Sequence, residues 1–174
     1  MIVPLYEFTA TLDRPLTDDD YDILFDAGLD DATPGIERGV GILMVTREAD
    51  SLTAAVVSVV ENARRAGFMV TGVRDEDLVS LKTIAARLDR SYESLRLLAA
   101  GKRGPGGFPA PISDDGWSLY SWARVSKWLV THDYLSLDPA GADHLALVAA
   151  DHLLQARSLV DASTLQELVP LTAA

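Results

Sequence analysis

Three features of the sequence together predict an α+β protein in three segments. Strands and helices alternate across residues 1–79, two short amphipathic helices flank a tight turn within 80–132, and a further helical segment occupies 133–174. Charge divides along the same lines. The chain carries −11 in all, yet residues 1–79 hold 6 basic and 16 acidic side chains, residues 80–132 hold 8 and 4, and residues 133–174 hold 1 and 6. The basic segment coincides with the two-helix pattern, an asymmetry expected of a phosphate-facing module in an otherwise repelling chain. Acidic groups farther than roughly 8 Å are largely screened at physiological salt, so they weaken non-specific binding without preventing docking.

Val3–Thr11 is rich in strand-favouring side chains and places Tyr6 and Phe8 two apart, which predicts a strand. Thr17 is placed to cap a helix. Its first turn holds Asp18, Asp19 and Asp20, favourable beside the positive end of the dipole, with Tyr21, Leu24 and Phe25 as the buried stripe and Gly28 as the stop. A turn at Thr33–Gly35 leads to Ile36–Arg38, hairpin partner across Gly39 of an extended run from Val40 to Thr46. Ser51 or Asp50 begins the clearest helix of the segment. There Leu52, Ala55, Val56, Val59, Val60 and Ala63 keep the i, i+3, i+4, i+7 spacing until Gly67, and Phe68–Val73 reads as a last strand. This order is the βαββαβ plan of a ferredoxin-like domain, both helices on one face of an antiparallel sheet, and such a fold implies no function by itself.

The acidic cluster of Asp18, Asp19, Asp20, Asp22, Asp26, Asp30 and Asp31 invites a calcium or magnesium reading. Its spacing lacks the alternate ligands, sixth-position glycine and twelfth-position glutamate of an EF-hand loop. A solvated helix start followed by a polar turn accounts for it. A paired-carboxylate hydrolase lacks a second cluster to supply acid and base.

In the central segment Leu81, Ile84, Ala85 and Leu88 line one helical face behind Ser80 as cap. Asp89 and Arg90 interrupt the pattern. Ser91 is the next cap, Leu95, Leu98 and Ala99 form an inner face, and Gly101 closes the helix in the left-handed conformation. The product is a helix-turn-helix candidate whose second helix projects Tyr92, Glu93 and Arg96. The stretch Lys102–Gly107 is not a phosphate-binding P-loop, because its basic pair precedes the glycines and the extended Phe108-Pro109-Ala110-Pro111 follows them. It reads as a turn carrying two cations, followed by a wing hairpin centred on Asp114–Gly116. Ser121 then caps a helix packing Trp122, Val125, Trp128 and Leu129 on the two before it.

From Leu81 to Leu129 this arrangement resembles the winged helix-turn-helix domains of the excisionase and MerR-like group, through the two helices, Phe108-Pro109-Ala110-Pro111, Trp122 and the Val125…Trp128-Leu129 ending. It is also similar to helix-turn-helix regulators with an acidic N-terminal domain and a Gly-Pro-Gly-Gly-Phe-Pro-Ala-Pro wing. The resemblance spans about 50 residues of the 174. It implies that the second helix enters the major groove and the wing meets the backbone, assigning Ser91, Tyr92, Glu93, Ser94 and Arg96 to the groove and Lys102 and Arg103 to phosphate. Chemically, Arg96 can fork to guanine O6 and N7, while Lys102 and Arg103 set salt dependence. Ser91 serves either as cap alone or as a DNA contact, and Glu93 either compensates the helix dipole or meets cytosine N4. Two positions depart from the pattern: Asp89 where the turn usually has glycine, and Arg90 at a usually apolar position.

Asp138-Pro139 predicts a C-terminal helix start, with Leu145, Val148, Ala149, His152, Leu153 and Ala156 as one stripe and Leu147, Leu154 and Leu159 broadening it; a short helix follows Ser163. That apolar surface folds onto the N-terminal domain or pairs with a symmetry mate in a homodimer. His144 and His152, eight apart without a third ligand, do not predict zinc. The chain has no cysteine, no apolar run of the ~18 residues a membrane span requires, and no signal-peptide pattern at its start, so the expectation is a cytoplasmic chain without membrane contact. The function expected is sequence-specific binding of double-stranded DNA by a transcriptional regulator. The alternative is a protein-interaction adaptor or antitoxin-like component whose acidic N-terminal domain holds a protein partner. No catalytic constellation, metal cluster or cofactor loop points to an enzyme.

Overall fold

The computed structural model describes residues 3–74, 77–113, 117–136 and 139–172. Among them the elements run β1 (Leu5–Leu12), α1 (Asp20–Asp26), β2 (Ala32–Glu37), β3 (Val40–Glu48), α2 (Leu52–Arg65), β4 (Val70–Arg74), β5 (Leu78–Ser80), α3 (Leu81–Arg87), α4 (Tyr92–Ala99), β6 (Leu119–Ser121), α5 (Trp122–Thr131), α6 (Pro139–Leu159) and α7 (Ala162–Leu168). The protein is mixed α+β and divides into two compact units, Met1–Asp75 with Ala146–Ala174, and Glu76–Leu145. Helix α6 therefore contributes residues to both.

The first unit is built on a four-stranded sheet in the order β2-β3-β1-β4, every neighbouring pair antiparallel. Strand periodicity sorts β1 cleanly: Phe8, Ala10 and Leu12 enter the core, as do Leu43 and Val45 of β3. Helix α2, capped where Ser51 Oγ accepts the Ala54 N–H, packs Leu52, Ala55, Val56, Val59 and Ala63 into the same core. Leu16, Leu24 of α1, Leu29, Phe68, Val70 and Val73 of β4 and Leu154 of α6 join it, each such buried aliphatic contributing about 1.5–3 kcal/mol of transfer free energy. Pro34 is accommodated because β2 is an edge strand.

Two polar clusters fix how these layers meet. Arg47, buried on β3, donates Nε and Nη2 to the two oxygens of Asp31 at 2.6 Å each, Nη1 to Ser58 Oγ at 2.8 Å and Nη2 to the Gly28 carbonyl at 2.8 Å. It thereby joins the sheet to α2 and to the end of α1. Asp20 accepts from Arg14 at 2.8 and 2.9 Å and from the Thr17 N–H and hydroxyl at 2.7 and 2.8 Å. At the β4 edge, Asp151 Oδ1 accepts the Val73 N–H at 2.9 Å and Arg157 Nη2 donates to the Val70 carbonyl at 2.8 Å, so two polar groups of that edge are taken by α6. A Cβ on Gly72 would lie 2.7 Å from Asp151 Oδ1, so a larger residue there would push that carboxylate off the Val73 N–H.

The structure departs from several expectations. Thr17 does not cap α1; Asp19 is at the cap position, and Thr17 instead donates to buried Asp20. Only Leu24 of the expected stripe is buried, Tyr21 and Phe25 being 42% and 62% exposed, because the Arg14–Asp20 pair sets the rotation of this seven-residue helix. Thr33–Gly35 is not a turn but part of β2. On α6, Ala149, His152 and Leu153 are exposed, and Leu147, Ala150 and Leu154 meet the core. Asp161, whose side chain accepts the Thr164 N–H, starts α7 ahead of Ser163. The expected Asp138 cap and the wing tip at Asp114–Gly116 lie outside the described residues.

The second unit pairs β5 with β6 in an antiparallel ladder and packs α3, α4 and α5 around Val79, Ile84, Ala85, Leu95, Leu98, Tyr120, Val125 and Leu129. Strand β5, unpredicted from sequence, directly precedes α3. Asp77, also missed, accepts the Trp122 N–H on its carbonyl at 2.7 Å and the Ala123 N–H on Oδ1 at 2.6 Å. It thus serves two of the unpaired donors at the start of α5, and His144 Nε2 lies 3.5 Å from the same carboxylate. Among the described residues no helix is long and apolar enough to cross a membrane.

Candidate nucleic-acid interface

Local chemistry accounts for the α3–turn–α4 unit. Ser80 Oγ accepts the Thr83 N–H and Ser91 Oγ the Ser94 N–H, so each helix starts on a serine cap. Helix α3 ends with the Asp89 N–H on the Ala86 carbonyl and the Arg90 N–H on Ala85, Asp89 being left-handed at φ 49°. Helix α4 repeats this closure at Gly101, and α5 at Asp133, φ 59°, with the Tyr134 N–H on Leu129. These are Schellman ends, in which a left-handed residue lets two backbone donors return to the last turn. Aspartate takes that conformation at about 1–2 kcal/mol, less easily than glycine.

The seven sequence-predicted residues fall into three situations. Ser91 is engaged in its cap, and its neighbour Tyr92 is half exposed. Glu93 and Arg96 form a two-bonded pair, Arg96 Nε and Nη2 donating to the Glu93 oxygens at 2.9 and 2.7 Å, with side chains 61% and 46% exposed. That pairing holds the Glu93 carboxyl below its ordinary range, and it raises the Arg96 guanidinium in the same way. Ser94 and Arg103 line one cavity, while exposed Lys102 follows Gly101 with its N–H on the Leu97 carbonyl. The structure therefore brings Glu93 to Arg96 and Ser94 to Arg103.

Three further side chains of this unit stand outside the seven. Arg90 stands over the Tyr134 ring at 5.0 Å, in place of the apolar contact expected there, and Arg87 stands over Trp122 at 4.8 Å. Trp117 is 81% exposed. Its signal was present as an aromatic residue following Asp-Gly, whereas the 44-residue separation of Arg90 and Tyr134 left no local signal. Phe108 anchors the loop after α4, its ring meeting Trp128 at 5.2 Å and Tyr120 at 5.9 Å, both edge-on. Trp128 is thereby core, stacked on Tyr134 at 5.7 Å and 9°.

On each side of the 114–116 segment the chain is drawn together: the Ile112 N–H bonds the Leu119 carbonyl at 2.7 Å and the Leu119 N–H bonds Ser113 at 3.0 Å. Residues 76–145 hold 8 basic and 9 acidic side chains, so the folded unit is nearly neutral and the excess of the 80–132 segment is offset by acidic residues at its ends. Among the described residues, no three His, Asp or Glu side chains are grouped to hold a metal ion. Comparison with known proteins finds no matching family model, curated protein or solved structure.

Proposed function

We propose that this protein is a sequence-specific DNA-binding regulator, its second unit a winged helix-turn-helix of the excisionase or MerR-like kind and its first a ferredoxin-like domain. One observation carries the reading: two serine-capped helices, joined by a left-handed turn and buried through Ile84, Ala85, Leu95 and Leu98, leave Tyr92, Glu93 and Arg96 outward beside the Lys102–Arg103 turn. The backbone bonds flanking 114–116 support a wing, and the order β2-β3-β1-β4 with antiparallel neighbours supports the ferredoxin-like plan. In this reading Arg96 leaves Glu93 to fork a guanine, Tyr92 and Ser94 face the groove, and Lys102 and Arg103 neutralise backbone phosphate. The regulator acts in the cytoplasm as a homodimer on double-stranded DNA without a cofactor.

Selection of bound duplexes from a random pool, followed by titration across a salt series, tests it. An enriched motif is expected, with binding lost in R96E/R103E and a log–log salt slope that scales with the phosphates neutralised. Absence of binding at low salt, or undiminished binding by the reversed variant, refutes the proposal. A second reading, a protein-interaction adaptor, draws on the first unit. There Val56, Val57, Val60, Leu153 and Leu154, rimmed by Glu61, Arg64 and Arg157, line a cavity of about 380 Å³ within a unit of charge −10. A partner retained by V57D/L153D to the same extent as by the wild type would count against it.

A further inference from the structure

Arg90 and Arg103 are cations for which no carboxylate lies within ion-pair distance among the described residues, and they meet in one place. With Ser94, Leu95, Leu98 and Tyr134 they line a cavity of about 260 Å³. Helix ends build it. Arg90 and Tyr134 each stand second beyond a helix closed by a left-handed aspartate, the position from which an apolar side chain usually packs back on the helix. Arg90 instead lays its guanidinium over Tyr134, whose ring is fixed by stacking on Trp128. The Lys102–Gly104 turn closes on the same wall. Gly104 has φ +78°, and a Cβ there would lie 2.6 Å from Leu98 Cδ1 and 3.0 Å from Tyr134 Oη, so the backbone carrying Arg103 is pressed against the cavity lining.

Among the described residues the lining thus combines buried Leu95 and Leu98 with Arg90, Arg103, Ser94 and Tyr134, and no carboxylate. Arg90 and Arg103 are themselves exposed and so open to an incoming anion, and a guanidinium fork matches a pair of phosphate oxygens where an ammonium does not. The contrast with Arg96, already paired to Glu93, is direct.

We infer that this cavity is a seat for a single phosphoryl group, held by the forks of Arg90 and Arg103 with the hydroxyls of Ser94 and Tyr134. The inference rests on the DNA-binding reading in taking a duplex backbone phosphate as the source; a free phosphate ester has the same chemistry. Two measurements on the full chain separate the sources. Salt dependence of DNA binding is compared for the wild type, R90Q, R103Q and R90Q/R103Q, with tryptophan-fluorescence melts verifying the fold. Side-chain NMR signals of Arg90 and Arg103 are followed against inorganic phosphate without DNA.

If both arginines grip one phosphate, the double variant lowers the log–log slope by about 0.9, whereas two separate contacts would lower it by about 1.8. R90K/R103K, keeping charge but losing the forks, should retain the slope and bind at least tenfold more weakly. Signals that shift with phosphate while the wild type ignores DNA would support the seat with a free ester as its occupant, and would end the DNA reading alone. DNA binding with a slope unchanged, or lowered by about 1.8, in the double variant overturns the single seat and leaves the DNA reading standing. Silence in both measurements overturns both.

Discussion

Replacing Arg47 with methionine removes the side chain that joins β3, α2 and the end of α1, and its effect can be worked through bond by bond. Four hydrogen bonds are lost, but two of the partners keep others: Gly28 O still accepts from Asn62 Nδ2 at 2.6 Å, and Ser58 Oγ still donates to Ala55 O. Asp31 is the group left without its counter-ion. Removing one member of a buried pair costs about 3–5 kcal/mol when the other stays dry; Asp31 is 30% exposed and regains part of its hydration, so about 2–3 kcal/mol is expected. Methionine keeps most of the apolar stem, which limits the loss of packing. D31N should cost a similar amount, because Arg47, 9% exposed, then remains charged against a neutral acceptor. The double variant should cost less than the two singles added together.

Urea unfolding followed by far-UV circular dichroism and by hydrogen exchange of the β1 and β3 amides measures this. Tryptophan fluorescence reports the other unit, since Trp117, Trp122 and Trp128 all lie within residues 76–145. R47K is the informative control. One ammonium cannot serve Asp31, Ser58 and Gly28 together, so it should recover little. Wild-type stability in R47K, or a loss under about 1 kcal/mol in R47M, would refute the assignment of this cluster as the joint of the first unit.

Two further outcomes follow from other contacts. Hydrogen bonds from Arg14, then the Thr17 N–H, hold the Asp20 carboxyl well below the usual carboxylate range. Its folded-state pKa is below its unfolded one, so the stabilisation is full above about pH 4–5 and is lost as pH falls toward the depressed value; melts from neutral to acid pH should show a flatter acid limb in D20N than in the wild type. For G104A, left-handed strain together with approach to Leu98 and Tyr134 should lower the stability of the second unit by about 1–3 kcal/mol, read as an earlier tryptophan-fluorescence transition.

What could be read from the chain alone was whatever its neighbours in sequence dictate. Helix α2 was legible because Ser51 caps it and its valines and alanines repeat for three turns; Ser80, Ser91 and Gly101 marked α3 and α4 in the same local way. Rotation about a helix axis was not legible where distant groups set it. Asp151 and Arg157 turn α6 toward β4, partners 78 and 87 residues away, and so expose Leu153, which periodicity placed inside. At Thr33–Gly35 the proline and glycine carried a turn signal that an edge strand overrides. At the candidate interface, the i,i+3 spacing of Glu93 and Arg96 already allowed their pairing, whereas the meeting of Arg90 with Tyr134 depends on two helix ends brought together by the core.

The division of α6 between the two units has a bearing on synthesis. Residues 76–145 leave the ribosome as one uninterrupted stretch, but the sheet of the first unit waits for Leu147, Asp151, Leu154 and Arg157 before its core and β4 edge are finished. The later-made unit can therefore complete its fold first, reversing the usual N-terminal-first order and leaving the nascent sheet with an uncovered edge in the meantime.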